Sequence, residues 1–418
     1  MHSGFSFNLM DKTILHIDFD SFFASCEQHF NPNLRNKPIG VTAENGRTCI
    51  IAASREAKKF GIKTGTRSWE AQRLCPDIIL VKADFERYLE ITKKFIEIAS
   101  NFSPLVEVFS LDEVFIDATP IMHLHPSLLS LVASFKKKVA DEISSTITVS
   151  VGASYNKLLA KLGSGLNKPD GFFLIDRQNV DEVFGNVKLT DMCGIGERFK
   201  RRLNMLGVFN LIQLREYPLH LLRKEFGNIA SLNLKRISLA QDDSPVISYM
   251  EDVVTKSVGR NYCLPQNEHD QDKILKILFE LSDEIAIKLR RINKKGRTVG
   301  LYLAGEANMG GRQTFQTYTN LGEDIYKNCL SLYKKWKWDH MVRQMGVWVS
   351  NLIDENAATL SLFENPKKED VVKTIDAINE RFGHHTIRRG YLVNAPRLHT
   401  KPNGYFADKY QRSTLKNI

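Results

Sequence analysis

Alternating apolar and polar residues mark strands in the first third of the chain. In the run TILHIDFD, from Thr13 to Asp20, the apolar residues Leu15, Ile17 and Phe19 alternate with the polar residues His16, Asp18 and Asp20. A period of two predicts a strand with one apolar and one acidic face. The next run, SFFASCEQHF, predicts a helix. The segment VEVFSLDEVFID, from Val106 to Asp117, predicts a hairpin whose turn carries two adjacent acids.

Later patterns divide the chain into further regions. Residues 47–75 are basic and interrupted by glycine, and they predict a small inserted subdomain with a strand and two helices. Residues 189–208, LTDMCGIGERFKRRLNMLGV, predict a helix-hairpin-helix unit. From about Glu251 the pattern changes to β-α-β-β-α-β, the ferredoxin-like order of a separate domain. After Asn351 the chain turns polar, with one short apolar island, LSLF.

Composition narrows the class of protein. The 418 residues are long enough for two to four domains, and a formal charge of +10 suits a polyanionic partner without proving one. The six cysteines form no CxxC pair, which favours a reducing, cytoplasmic setting over a zinc site or a disulfide framework. No apolar stretch reaches the roughly 20 residues of a spanning helix, so we expect no membrane association.

Three carboxylates are the candidate catalytic groups. Asp18 lies on the acidic strand face, and Asp112 and Glu113 lie on the hairpin turn, 112 − 18 = 94 residues later. If the fold brings them together they repel one another unless cations intervene, and a pair of Mg²⁺ ions about 3.5–4 Å apart supplies that charge. The plain alternative is that each acid is solvated or caps its own turn.

The joint pattern resembles one known family. DFDSFFASCE, SREAKKFGIKTG, SLDEVFID, SVGASYNKLLAKLGSGLNKPDG and MCGIGERFKRRLNMLGV occur in the order seen in Y-family (translesion) DNA polymerases, and the resemblance covers residues 13–355. It implies an α+β multidomain, right-hand fold with palm, fingers, helix-hairpin-helix thumb and ferredoxin-like little finger. It also implies two-metal nucleotidyl transfer at an open site that tolerates damaged templates and lacks proofreading.

The resemblance also implies domain boundaries. We expect the palm at residues 1–30 and 77–187, the fingers at 31–76, the thumb at 188–247, the little finger at 251–355 and a C-terminal tail at 356–418.

Carried over residue by residue, the resemblance assigns the metal site and the nucleotide pocket. Asp18, Asp112 and Glu113 match the metal ligands, and the carbonyl of Phe19 matches a backbone ligand. Phe22 and Phe23 begin the helix whose free N–H groups meet the triphosphate. Phe23 also matches the steric gate that excludes a ribonucleotide; without the motif it would be interpreted as a core residue.

Cationic residues are expected around the triphosphate. Lys168, in NKPDG, matches a lysine that approaches it, and Arg55 and Lys58 lie on the fingers helix above it. The commonest pattern there is YxAR, whereas this chain has Arg55-Glu56-Ala57-Lys58. Lysine lacks the bidentate fork of arginine, and Arg55 could either bind phosphate or point to solvent.

Two further motifs predict partners. The Gly194-Ile195-Gly196 turn, followed by Lys200, would let backbone amides hold a DNA phosphate. Leu360, Leu362 and Phe363 are the apolar anchors of an island that resembles the peptide by which bacterial polymerases dock on the sliding clamp. The same island could instead fold back onto the little finger.

The sequence therefore predicts a translesion DNA polymerase that uses two Mg²⁺ ions, primer-template DNA and dNTPs. One alternative is a catalytically weak relative that serves as a DNA-binding scaffold, although such members typically lack the acids. Another is a nucleotidyl cyclase or other palm-domain transferase, against which the helix-hairpin-helix and the basic C-terminal domain argue.

Overall fold

The structure is a computed structural model that describes residues 12–43, 49–251, 254–358, 366–383, 385–393 and 395. These residues form two units, one that ends at Glu251 and one that follows it. In the part of the chain described here, no helix has the length and apolar character needed to cross a membrane.

The first unit contains eight strands and eleven α-helices among its described residues. In chain order they are β1 (Ile14–Phe19), α1 (Phe22–Phe30), β2 (Ile39–Thr42), β3 (Ile50–Ala53), α2 (Arg55–Lys58), α3 (Ser68–Leu74), β4 (Ile79–Lys82), α4 (Phe85–Phe102), β5 (Val106–Val108), β6 (Glu113–Asp117), α5 (Leu128–Glu142), β7 (Val149–Ser154), α6 (Lys157–Leu166), β8 (Phe172–Leu174), α7 (Val180–Asn186), α8 (Glu197–Met205), α9 (Leu211–Glu216), α10 (Leu219–Phe226) and α11 (Asn228–Ser238).

A five-stranded sheet of order β5-β6-β1-β7-β8 forms the centre of this unit. The predicted alternation is confirmed, because Leu15, Ile17 and Phe19 are buried in the core beneath the sheet. The ring of Phe19 lies 4.3 Å from that of Phe95 on α4, measured between centroids. The opposite face of β1 carries its polar residues. The hydrophobic side of the strand therefore fixes which way the acids point.

Helix α6 lies unusually close to the polar face of the sheet. A Cβ atom at Gly152 of β7 would come within 2.0 Å of the Ala160 carbonyl oxygen, so only glycine fits there. Asn156 caps the start of α6 by accepting a hydrogen bond from the backbone N–H of Leu159. This close approach brings the lysines of α6 and of the loop that follows it to the acidic face.

The inserted subdomain is built as the sequence predicted, with a strand and two helices. A three-stranded sheet of order β3-β2-β4 carries α2 and α3, and Ser54 caps α2 by accepting a hydrogen bond from the N–H of Ala57. In the predicted helix-hairpin-helix region, Gly194 has a φ of +95°, which favours glycine, and α8 begins three residues later.

The second unit confirms the predicted β-α-β-β-α-β order. Its elements are β9 (Ser257–Glu268), α12 (Gln271–Arg291), β10 (Lys294–Gly305), β11 (Asn308–Thr319), α13 (Gly322–Trp336) and β12 (Val342–Asp354), followed by α14 (Pro366–Phe382). The sheet is antiparallel with the order β11-β10-β12-β9, so the second and fourth strands are central. The order of elements along the chain does not by itself predict which strands lie at the centre of this sheet.

The C-terminal segment, the described residues of 366–395, packs against the rest of the second unit. Arg290 of α12 forms two hydrogen bonds with Asp376 of α14, at 2.6 and 2.9 Å. Leu392 is buried against Phe279. The sequence predicted a tail after residue 356 with an apolar island and a helix-like stretch, KKEDVVKTIDAINERFG, and α14 confirms that stretch. The docking of the segment was not predicted, because the apolar residues that dock it are few and widely spaced.

Candidate active site

The fold brings the three predicted acids together at one end of the central sheet. Asp18 on β1 lies directly opposite Glu113 on β6 in the antiparallel register. The backbone N–H of Phe19 donates to the carbonyl oxygen of Asp112, with an N···O distance of 3.0 Å. Residues 94 positions apart in sequence thus become neighbours through strand pairing.

Asp112 is a partly buried carboxylate without a cation of its own. Burial raises its pKa to about 6, repulsion from Asp18 and Glu113 acts in the same direction, and the Ser110 hydroxyl opposes the shift by donating to Oδ1 over 2.5 Å. Among the described residues, no positively charged side chain forms an ion pair with Asp112. Its ionised form is therefore costly in the protein as it stands.

The other two acids have lysine partners. The Nζ atom of Lys168 lies 2.8 Å from Oδ1 of Asp18, but burial outweighs this contact and raises the pKa of Asp18. Burial also acts to raise the pKa of Glu113, yet contacts with His16 and Lys161 outweigh it and lower the pKa to about 2. His16 Nε2 lies 3.1 Å from Oε2 of Glu113, and Lys161 Nζ contacts the same oxygen.

Sequence reasoning missed His16 and Lys161 as parts of this site. His16 shares a strand face with Asp18, so the alternation contained a signal for it. Lys161 follows Lys157 by four residues on α6, which placed both lysines on one helix face without indicating what they contact. Burial lowers the pKa of His16, and its hydrogen bond with Glu113 acts in the opposite direction.

The donor set suits a hard cation. All three side chains offer oxygen, the ligand atom that Mg²⁺ prefers. Over the described residues, no group of three or more His, Cys, Asp or Glu side chains is arranged closely enough to hold a metal ion. Lys168 and Lys161 instead contact two of the three carboxylates, Asp18 and Glu113. Asp112 has no such partner among the described residues.

Helix α1 places two phenylalanines beside the acids. Phe22 is buried in the core, so only its backbone can face a ligand. Phe23 is half-buried and stacks on Tyr88, with ring centroids 4.6 Å apart and planes inclined by 17°. The Ser21 side chain does not cap the helix, which leaves the first N–H groups without a side-chain partner.

The predicted nucleotide-binding cations surround this helix. Lys58 donates from Nζ to the hydroxyl of Ser21 at 2.8 Å, and burial lowers its pKa, with the nearby charge of Lys168 acting in the same direction. The guanidinium of Arg55 contacts the Thr148 hydroxyl and lies 3.5 Å from Asp20 Oδ2. The Arg55 side chain is also 39% exposed, so these two contacts leave part of it open to solvent.

The remaining predicted residues lie elsewhere. In the Gly194-Ile195-Gly196 turn, Ile195 is buried in the thumb-region core, and Lys200 on α8 lies 3.5 Å from Glu197. Leu360, Leu362 and Phe363 lie outside the described residues.

Comparison with known proteins identifies the family of the chain. The impB/mucB/samB family profile matches residues 17–165, and its C-terminal domain matches residues 255–362. A DNA polymerase IV of Acetivibrio thermocellus is 30% identical over 394 residues, covering 92% of this chain and 98% of the relative. One from Moorella thermoacetica is 32% identical over 386 residues, covering 91% and 96%.

A solved structure shows the same fold. A Y-family DNA polymerase chimera superposes with a TM-score of 0.70 at 25% identity, over 82% of this chain and 99% of that one.

Proposed function

Because this chain belongs to the Y family of DNA polymerases, we propose that Asp18, Asp112 and Glu113 are the ligands of two Mg²⁺ ions at its nucleotidyl-transfer site. The chain is a template-directed, translesion DNA polymerase and a metal-dependent nucleotidyltransferase. Its substrates are primer-template DNA and dNTPs. The identity and number of the metal ions and the roles of individual residues are the proposal.

One observation supports the metal site above the others: Asp112 is buried beside Asp18 with no cation from the described chain. When bound, two Mg²⁺ ions would activate the primer hydroxyl and hold the triphosphate. Asp18, Asp112 and Glu113 supply side-chain oxygens, and the Phe19 carbonyl supplies a backbone oxygen. Lys168 and Lys161, which contact the acids in this structure, would then be released toward other anions.

The triphosphate would lie against the start of α1. The backbone N–H groups of Phe22 and Phe23 face it, since helix N-termini attract phosphate. Lys58 and Lys168 provide positive charge on two sides, one from α2 and one from the loop after α6. Cations held in place before the reaction stabilise charge that shifts during phosphoryl transfer.

Phe23 would act as the steric gate. Its stacking on Tyr88 fixes the ring where it can exclude the 2′-hydroxyl of a ribonucleotide. Phe23→Ala should therefore reduce discrimination against rNTPs by about tenfold or more, while dNTP incorporation continues. Phe85→Ala is the matched control, because Phe85 packs edge-on against Phe23 at 5.7 Å. An equal loss of discrimination in both variants, or none in Phe23→Ala, would exclude the gate.

DNA would be held outside the metal site. We assign the backbone amides of the Gly194-Ile195-Gly196 turn, together with Lys200, to a DNA phosphate, because the φ of +95° at Gly194 shapes an exposed turn before α8. Lys200→Ala should weaken DNA binding, measured by fluorescence anisotropy at low salt. An unchanged affinity would mean that Lys200 does not contact the DNA phosphate.

A sliding clamp is the proposed protein partner, on the basis of the sequence of the LSLF island. Replacing Leu362 and Phe363 with alanine leaves the C-terminal segment in place, so basal extension should be unchanged while stimulation by a clamp disappears. If a clamp stimulates this variant as much as the unaltered chain, the LSLF island does not bind the clamp.

The polymerase assignment and its metal site are tested together by primer extension. The unaltered chain and an Asp112→Ala/Glu113→Ala variant are compared with Mg²⁺ and dNTPs, and Glu107→Gln on the same hairpin is the control. We expect extension to be lost only in the double variant, with DNA binding retained. No extension by an unaltered, DNA-binding chain would favour the scaffold alternative.

A further inference from the structure

Arg55 joins the inserted subdomain to the central sheet. It is the first residue of α2, and its Nη2 atom donates to the hydroxyl of Thr148, just before β7. The same nitrogen lies 3.5 Å from Oδ2 of Asp20, whose side chain is 2% exposed. The side chain therefore spans from one sheet to the other.

The hydrogen bonds around Asp20 have a consistent direction. Thr148 has one hydroxyl hydrogen, which it donates to Asp20 Oδ2 over 2.6 Å, so its oxygen is left to accept from Arg55. Asp20 also accepts from the Ser150 hydroxyl at 2.8 Å and from the backbone N–H of Asp170 at 2.8 Å. The carboxylate thus receives three neutral donors, and Arg55 supplies the positive charge.

This network touches both proposed triphosphate lysines indirectly. Arg55 and Lys58 are three residues apart on α2, which places them on one face of the helix. The Asp170 N–H that binds Asp20 lies two residues after Lys168. A change at Arg55 would therefore disturb the placement of Lys58, which lies on the same helix. The loop that carries Lys168 would keep the hydrogen bond between the Asp170 N–H and Asp20.

We propose that Arg55 is a positioning residue that fastens α2 to the palm through Thr148 and Asp20 and so holds Lys58 over the triphosphate site. The sequence left open whether Arg55 binds phosphate or points to solvent, and this role differs from both. The part that concerns the triphosphate rests on the proposed function, whereas the link between the two sheets does not.

A double-variant cycle tests the role of Arg55 in the reaction. Arg55→Met removes the guanidinium with little change in size, and Thr148→Val removes only the hydroxyl. Each should raise the KM for dNTP, by about tenfold for Arg55→Met and less for Thr148→Val, with little change in kcat. The double variant should resemble Arg55→Met, because both changes break one link. Misfolding alone would lower kcat through the active fraction and leave KM unchanged.

Direct phosphate binding by Arg55 makes a different prediction. Thr148→Val would then match the unaltered chain. A Thr148→Val effect that multiplies with that of Arg55→Met would likewise mean that the two residues act separately. Either result would overturn the positioning role.

Hydrogen exchange in the absence of DNA and dNTP separates this proposal from the polymerase assignment. Amides of residues 50–58 should exchange faster in both variants than in the unaltered chain, while those of β1 keep their protection. Unchanged exchange at 50–58 in an active polymerase would overturn the link and leave the function standing. Faster exchange in a chain without polymerase activity would support the link and refute the function.

Discussion

Asp112 in the first unit and Asp283 in the second are both partly buried carboxylates, and burial is the main cause that raises the pKa of each to about 6. Their neighbours differ. Asp283 accepts a hydrogen bond from Nε of Arg389 at 3.0 Å, so it has a positively charged partner on the chain. Asp112 has two acids and a serine hydroxyl nearby and no ion pair among the described residues. Two carboxylates with similarly raised pKa values thus have opposite electrostatic surroundings.

The difference separates structural carboxylates from candidate metal ligands. A buried carboxylate stays ionised only if a positive charge compensates the cost of its burial. In a structural pair, that positive charge is a side chain of the same protein. Arg389 also contacts Glu323, and Arg388 lies 3.1 Å from Glu280, so this cluster fastens the C-terminal segment to α12 and α13. Asp112 has no such cation among the described residues, which are the surroundings expected of the proposed metal ligand.

Removing the cation of the second cluster should have the largest effect. Arg389→Met leaves Asp283 buried without its main partner, and we expect a loss of about 2–3 kcal/mol in unfolding free energy. That is below the 3–5 kcal/mol typical of fully buried pairs, because the Arg389 side chain is 34% exposed. Urea unfolding measures the loss, and limited proteolysis should show faster cleavage within residues 385–393.

The control for Arg389 is an exposed pair. Arg236 lies 3.0 Å from Asp243, and both side chains are more than half exposed, so Arg236→Met should change stability little. Equal effects of the two substitutions would mean that the Arg389 cluster does not hold the C-terminal segment. Asp283 could then no longer serve as the structural carboxylate with which Asp112 is compared.

The sequence predicted the local elements well and the polar networks poorly. Period-two alternation fixed the faces of β1, and the order of elements in the second unit followed from turn and helix patterns. The contacts of His16, Lys161 and Asp20 could not be predicted, because each depends on how closely α6 and β7 approach β1. The Arg389–Asp283 pair spans 106 residues, and no local pattern announces it.

The stability of Asp112→Asn without metal tests the Asp112 half of the comparison directly, and the expected effect is smaller than that of Arg389→Met. A folded-state pKa of about 6, against an ordinary value of 3.8, means that the protonated carboxyl favours folding and the ionised one opposes it. The stability that protonation contributes is complete below the unfolded pKa and is lost as pH rises through about 6. At pH 7.5 the neutral amide should therefore raise unfolding free energy by about 1–2 kcal/mol, part of the roughly 3 kcal/mol that the full shift represents.

Thermal unfolding of the unaltered chain and of Asp112→Asn, each with EDTA and with millimolar Mg²⁺, tests the central claim most directly. The account predicts that the variant melts higher in EDTA, and that Mg²⁺ raises the melting temperature of the unaltered chain but not of the variant, because a ligand stabilises only the state that binds it. A variant that melts lower in EDTA, or an equal response of both chains to Mg²⁺, would contradict a metal site at Asp112.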